Sequence, residues 1–248
     1  MADPIRTSNP TLNPTTFADN RAIAGQAMTL QGTVNKTGIL LLCAIVSAAW
    51  TWGLARSEAP DAAIPWMIGG MIGGLVMAIA TTFKKEWSPI TAPIYAVLEG
   101  LALGGISSTL DRMYHGIAIQ AVALTFGTMA VMLLAYTSGL IRATRKFTIG
   151  VIAATGAIFL VYMADMVMSL FGHHVPLING SGPVGIAISA VIVVVAALNL
   201  ILDFNLIETG VQAGAAKYME WYGAFALMVT LVWLYLEIVR LLAKTRQR

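Results

Sequence analysis

The sequence predicts an all-α integral membrane protein, a seven-transmembrane-helix bundle, and three observations carry that prediction. Of 248 residues, 58% are hydrophobic and 11% charged. A soluble domain carries roughly 25% charged residues, so this chain lacks the polar surface a soluble fold requires. The mean hydropathy is +0.77. Seven apolar runs, each near the ~20 residues that cross hydrocarbon as a helix, are separated by short polar gaps. Lipid offers no partner to a backbone polar group, so each run closes its own hydrogen bonds. Alternating ten-residue strands, the mark of a membrane barrel, are not seen.

The chain opens on a polar stretch, residues 1–37, rich in Asn, Thr and Pro. Before Met28 its only large aliphatic residues are Ile5, Leu12 and Ile23. Such a segment cannot bury enough apolar surface to fold alone, and it reads as a flexible cytosolic tail. Within it, Arg21–Asn35 is a candidate for a short interfacial helix. No early apolar core with a cleavage site marks a signal peptide. The membrane domain then spans 38–242, with a basic tail at 243–248.

The first run, Gly38–Leu54, ends on Trp50 and Trp52. The second, Ala63–Phe83, has Trp66 near its start and carries Gly69, Gly70, Gly73 and Gly74 in GGMIGG. Small residues at four-residue spacing let helix backbones approach closely where lipid supplies no hydrophobic drive. Tight packing is the ordinary reading, a pore lining the sharper one. The third, Ile90–Leu110, follows Trp87 and offers a similar face in Gly100, Gly104 and Gly105. The fourth, Ile117–Ile141, follows Tyr114. The fifth is Phe147–Phe171, the sixth Pro183–Phe204, and the seventh Trp221–Leu242, opened by Trp221 and Tyr222. Aromatic residues at run ends are interfacial anchors, and short connections make neighbouring helices antiparallel.

Lys and Arg set the orientation. With the N-terminus inside, the inner face collects Arg6, Arg21, Lys36, Lys84, Lys85, Arg142, Arg145, Lys146 and Lys217. The outer loops hold Arg56 and Arg112, and the His173–Gly182 loop has neither type. The same clustering accounts for a net charge of +3 and a pI near 9.1 by the positive-inside rule, without a nucleic-acid partner. Seven crossings place Arg240, Lys244, Arg246 and Arg248 outside, against the rule; one re-entrant run would return them inside. Seven crossings, with the early loops dominant, is the reading adopted. The lone cysteine, Cys43, excludes an intramolecular disulfide.

Four acids stand within or at the edge of the runs: Glu99, Asp165, Asp203 and Glu237. A charge at the centre of a bilayer costs on the order of 2.5–3.5 kcal/mol by insertion scales, so such residues face a wet interior, pair, or titrate. Asp203, in LNLILDFNLIE, follows an uncharged stretch from Ala190 to Leu202. It is placed at or just inside the inner hydrocarbon boundary, where it either exchanges a proton or ends its helix at the headgroups. Glu237 precedes Arg240 by three residues, so an ion pair along the helix competes with a buried role. Asp165 lines an outer vestibule or bonds a neighbouring helix. Glu99, near the middle of the third run, is expected to face a polar interior. Carboxylate oxygens suit hard cations such as calcium, for which a proton would compete.

Soluble-enzyme signatures are missing: there is no HExxH, no G-x-S-x-G and no Walker A loop. His173 and His174 in an outer loop are a weak metal signal. Ser107 and Ser108 have no recognisable base, and Met163, Met166 and Met168 read as packing. No enzyme activity and no cofactor are expected.

Three stretches carry a family resemblance: the E-G-x-x-L-G-x-x-S-like Glu99–Ser107, I-L-D-F-N-L-I at Ile201–Ile207, and L-Y-L-E-I-V-R-L-L at Leu234–Leu242. Together they resemble the Bax inhibitor family, in its bacterial branch with a long polar N-terminal tail, over Gly38–Leu242. The resemblance implies six helices around a central last helix and a pH-sensitive calcium leak. It also implies a sensor pair of acids, one in the sixth segment and one in the seventh. Asp203 matches the first acid. Aligning the L-Y-L-acid stretch makes Glu237 the second, in place of an Asp. Anchoring on Arg240 puts that position near Thr230 and leaves the pair incomplete. Antiparallel sixth and seventh runs set Asp203 and Glu237 roughly 20 Å apart in depth, which makes Glu99 an alternative partner. In the family a basic residue at the inner end of the second segment latches the sixth-segment acid, and Lys84 or Lys85 stands in that region.

The function expected is a cation (calcium) leak gated by protonation around Asp203, with calcium and protons as the transported or sensed ions. The setting is a lipid bilayer, the bacterial inner (plasma) membrane, with a cytosolic N-terminus. The alternative is a membrane interaction protein whose tail, residues 1–37, modulates a membrane-bound protease or a stress or cell-death regulator, as the resemblance also implies.

Overall fold

The computed structural model describes residues 27–57, 60–172 and 180–247. Seven helices in it are long and apolar enough to cross a membrane. They are α1 (Leu30–Ala55), α2 (Ala63–Phe83), α3 (Ser88–Met113), α4 (Ile117–Thr137), α5 (Arg145–Leu170), α6 (Pro183–Gln212) and α7 (Met219–Arg246). Single 3-10 turns, Pro60–Ala62 and Lys85–Trp87, precede α2 and α3. The fold is all-α, and α7 is the most buried of the seven.

Hydropathy finds the part of a helix inside hydrocarbon, and the helices run past it. α1 starts at Leu30, where Thr29 caps it by accepting from the Gly32 amide at 3.0 Å. The tail therefore ends before Leu30 and not at Thr37, and Leu30–Asn35 belongs to α1 and not to a separate interfacial helix. Arg21–Gln26, and the rest of the tail up to there, lie outside the described residues. α4 stops at Thr137, short of the expected Ile141. Gly139 turns left-handed there, with φ 73°, and donates to the Tyr136 carbonyl at 3.0 Å. α6 continues eight residues beyond Phe204, to Gln212. α7 runs on to Arg246, so residues 243–246 of the expected basic tail are helical.

The described residues group into two compact units, one of 119–205 with 230–247, the other of 27–118 with 206–229. In the first unit Ala143, Val151, Ile201 and Leu202 form a buried cluster with Tyr136, Phe147 and Leu198 packed against it. In the second, α3 lies on α1 and α2 at glycine contacts. A Cβ on Gly100 would stand 2.3 Å from the Ala44 carbonyl, one on Gly104 2.2 Å from that of Ala48, and one on Gly70 2.5 Å from that of Leu98. Tyr95 meets Phe225 edge-on, ring centroids 5.0 Å apart.

Large apolar side chains point outward from every one of the first six helices, among them Leu42 (62% exposed), Ile72 (62%) and Leu160 (67%). A water-soluble monomer does not present apolar surface on that scale. Lipid is the solvent that fits it.

Candidate functional site

Thr148, Thr155 and Tyr162 recur every seventh residue of α5, two helical turns apart, and so share one face. The partners of Thr155 and Tyr162 belong to α6 and α7 in the same unit. Asn199 Nδ2 donates to Thr155 Oγ1 at 2.9 Å, and back to the Val195 carbonyl at 2.9 Å. The Tyr162 hydroxyl donates to Glu237 Oε1 at 2.8 Å and accepts from Arg240. Arg240 Nη1 also reaches both Glu237 oxygens, at 3.0 and 3.1 Å. Thr148 is buried, and its hydroxyl has no partner among the described residues.

Asp203 is on the same face of α6 as Asn199, four residues on, and is 0% exposed. Thr230 Oγ1 donates to its Oδ2 at 2.6 Å. Nearer the other end of α7, Lys244 Nζ donates to Ser189 Oγ at 2.8 Å and to the Gly185 carbonyl at 3.3 Å. Polar contacts thus follow one another along α7 from Thr230 to Lys244. Fourteen residues at 1.5 Å each span about 21 Å, most of a hydrocarbon core. This is a polar seam between helices whose other faces are apolar.

The seam revises the expected depths. Asp203 is not at the end of its helix: α6 continues nine residues past it, about 13 Å. Thr230 stands level with Asp203, so Glu237, seven residues later, is about 10 Å away along the axis and not 20 Å. The two acids still make no contact. Glu237, 2% exposed, gives its oxygens to Tyr162 and Arg240. The position opposite Asp203 is filled by a hydroxyl.

The remaining candidates are placed as follows. Asp165 is half-buried on α5, one turn beyond Tyr162. Glu99 belongs to the other unit. It is half-buried on α3, with its carboxylate against α2, where a Cβ on Gly74 would stand 2.9 Å from its Oε2. Lys84 is exposed and Lys85 half-buried, with the Lys85 ammonium 6.0 Å from the centre of the Tyr222 ring. His173 and His174 lie outside the described residues.

Two acids that sequence reasoning passed over are tightly engaged. Glu220, 0% exposed, accepts from the Thr29 amide at 2.9 Å, the Thr29 hydroxyl at 2.8 Å, Lys217 at 2.7 Å and Lys36. Asp111 pairs with Arg56 at 2.5 Å and accepts from the Gly116 amide at 2.8 Å. The Lys217–Glu220 spacing was a readable signal for the first. The seam's hydroxyls and amide were readable only as a seven-residue recurrence.

A family model described as Bax inhibitor 1 like matches residues 9–247. No curated protein and no solved structure matches the chain.

Proposed function

The chain belongs to the Bax inhibitor 1 like family, and from that premise we propose that it is a proton-regulated cation leak, permeable to calcium, with Asp203 as its switch. The observation that carries this reading is an enclosed carboxyl group, facing a hydroxyl, within a helix long and apolar enough to cross a membrane. As a carboxylate, Asp203 can only accept, so Thr230 donates. Once protonated, it still accepts but more weakly, and it has a proton of its own to place on a further acceptor. Contacts between α6 and α7 thereby depend on the proton. One unit of pKa difference between closed and open states is worth about 1.36 kcal/mol, a tenfold change in their ratio.

The hydroxyls and amide of the seam supply oxygens along the route, the ligand type hard cations accept. The path is passive, and we assign the protein no catalytic role and no resident cofactor. We place the N-terminus in the cytosol of a bacterial cell, in the inner membrane, on the Lys and Arg asymmetry of the early loops.

The experiment is calcium flux into dye-loaded liposomes between about pH 5 and 8, a range wide enough to titrate a perturbed carboxyl group. Wild type is expected to show pH-dependent flux, and Asp203→Asn to flatten the dependence, while Glu99→Gln, in the other unit, leaves it in place. The same pH profile for wild type and Asp203→Asn would remove Asp203 as the switch.

A further inference from the structure

Glu220 stands in the first turn of α7, yet it serves the first turns of a different helix. Thr29, the N-cap of α1, donates to it from both its amide and its hydroxyl. Lys36, from the second turn of α1, and Lys217, from just before α7, complete its donors. Two helix N-termini, each carrying partial positive charge, thus share one carboxylate. Gly32 makes the room: a Cβ there would stand 2.1 Å from Glu220 Oε1 and 2.3 Å from Oε2. Beside this seat the chain is paired twice more. The Met28 amide donates to the Ala215 carbonyl at 2.7 Å, and Ala27 forms an antiparallel bridge with Ala216.

All of these attachments tie the start of α1 to the turn between α6 and α7 or to the residues that follow it. That turn joins the two helices that carry Asp203 and Thr230. Whatever holds the turn restrains both helices of the hairpin. We propose that the clasp of Thr29 and Lys36 on Glu220 is a lock on the leak, and that conduction requires the start of α1 to part from the α6–α7 turn. The inference rests on the leak reading and goes beyond it by adding a mechanical restraint that acts apart from the proton at Asp203. Its chemistry suits a lock. Charge-assisted hydrogen bonds hold one geometry and are exchanged for water when it is left. Lys217 belongs to the hairpin itself and is 54% exposed, so Glu220 keeps a countercharge when α1 departs.

The test closes the lock covalently. Facing residues of an antiparallel pair have Cα atoms about 4.5–5.5 Å apart, within the span of a disulfide. The double variant Ala27→Cys/Ala216→Cys, in a Cys43→Ala background, is assayed for calcium entry into liposomes, first oxidised and then reduced. Oxidation is expected to lower its flux on the order of tenfold, and reduction to restore it. Each single-cysteine variant is expected to respond to neither treatment. In the opening direction, Glu220→Gln removes the charge and Gly32→Ala fills the seat of the carboxylate. Each is expected to raise flux on the order of tenfold, the worth of one charge-assisted hydrogen bond. Both keep a pH-dependent flux, because Asp203 is untouched.

A permanent structural fastening predicts something else: equal flux in the oxidised and the reduced double variant. That result overturns the lock, and so does a lowered flux in Gly32→Ala protein that elutes as a single species. The disulfide keeps the test decisive where Glu220→Gln fails to fold, since the two cysteines replace no member of the cluster. Equal flux in both redox states, beside a pH profile that Asp203→Asn flattens, sinks the lock and leaves the proton switch standing. Wild-type flux no greater than that of protein-free vesicles sinks both.

Discussion

Glu220 shows what one enclosed carboxylate can organise. Its two oxygens take four hydrogen bonds, from the amide and hydroxyl of Thr29, from Lys36 and from Lys217. The two lysines differ in value. Lys217 is 54% exposed, and a bridge from so exposed a partner contributes about 0.2–1 kcal/mol. Lys36 is 18% exposed, and with the Thr29 donors it makes up most of the cluster. Removing the acid strands these donors, which in buried pairs costs about 3–5 kcal/mol. Glu220→Ala is therefore expected to lower the thermal midpoint in detergent markedly and Lys217→Ala only slightly. Equal shifts would show that the cluster is a surface feature. Asp203 is an enclosed acid of the other unit, and it accepts from the Thr230 hydroxyl at 2.6 Å.

At the scale of elements, the glycines divide by what they touch. Gly100 and Gly104 allow α3 to approach the α1 backbone at Ala44 and Ala48, whereas Gly69 has open space where a Cβ would go. Gly100→Ala and Gly104→Ala force the helices apart and are expected to cost about 1–3 kcal/mol each, as overpacked cores do. Gly69→Ala is expected to stabilise α2 by about 0.5–1 kcal/mol, because it removes only backbone freedom. Thermal unfolding of the three variants checks both signs. The same elements show how far sequence reading reaches. Ala63–Phe83 was legible to the residue because apolar character and helix end together there. α6 was not: its apolar stretch stops at Phe204, ahead of Asn205, Glu208 and Thr209, while the backbone stays helical until Gly214 turns it left-handed at φ 68°. That end lies eight residues beyond the expected one. The acids themselves were visible, since a charge stands out in an apolar run. Their partners were not, because Thr155, Tyr162, Asn199 and Thr230 are ordinary residues until a neighbouring helix is brought against them.

For the molecule as a whole, the charge pattern and the contacts bear on the same question. The basic residues near the end of α7 contradict the positive-inside rule if the chain crosses seven times. Three of them are occupied within the protein: Arg240 by Glu237 and Tyr162, Lys244 by Ser189 and Gly185, and Arg246 by Gln120 at 2.7 Å. The positive charges of the short early loops usually dominate orientation. A reporter fused after Arg248 is therefore expected to read the outer side and one fused before Met1 the inner. Both on the inner side would mean an even number of crossings.

The clasp on Glu220 also sets a timetable for biosynthesis. Thr29 and Glu220 are 191 positions apart, and beside them the Met28 amide donates to the Ala215 carbonyl at 2.7 Å. When α1 leaves the ribosome, none of these acceptors has yet been made. At 5–20 residues per second, the wait is about ten to forty seconds. Throughout that interval the first helix sits in the bilayer with its leading turn unfastened, and the final hairpin is the part that closes it.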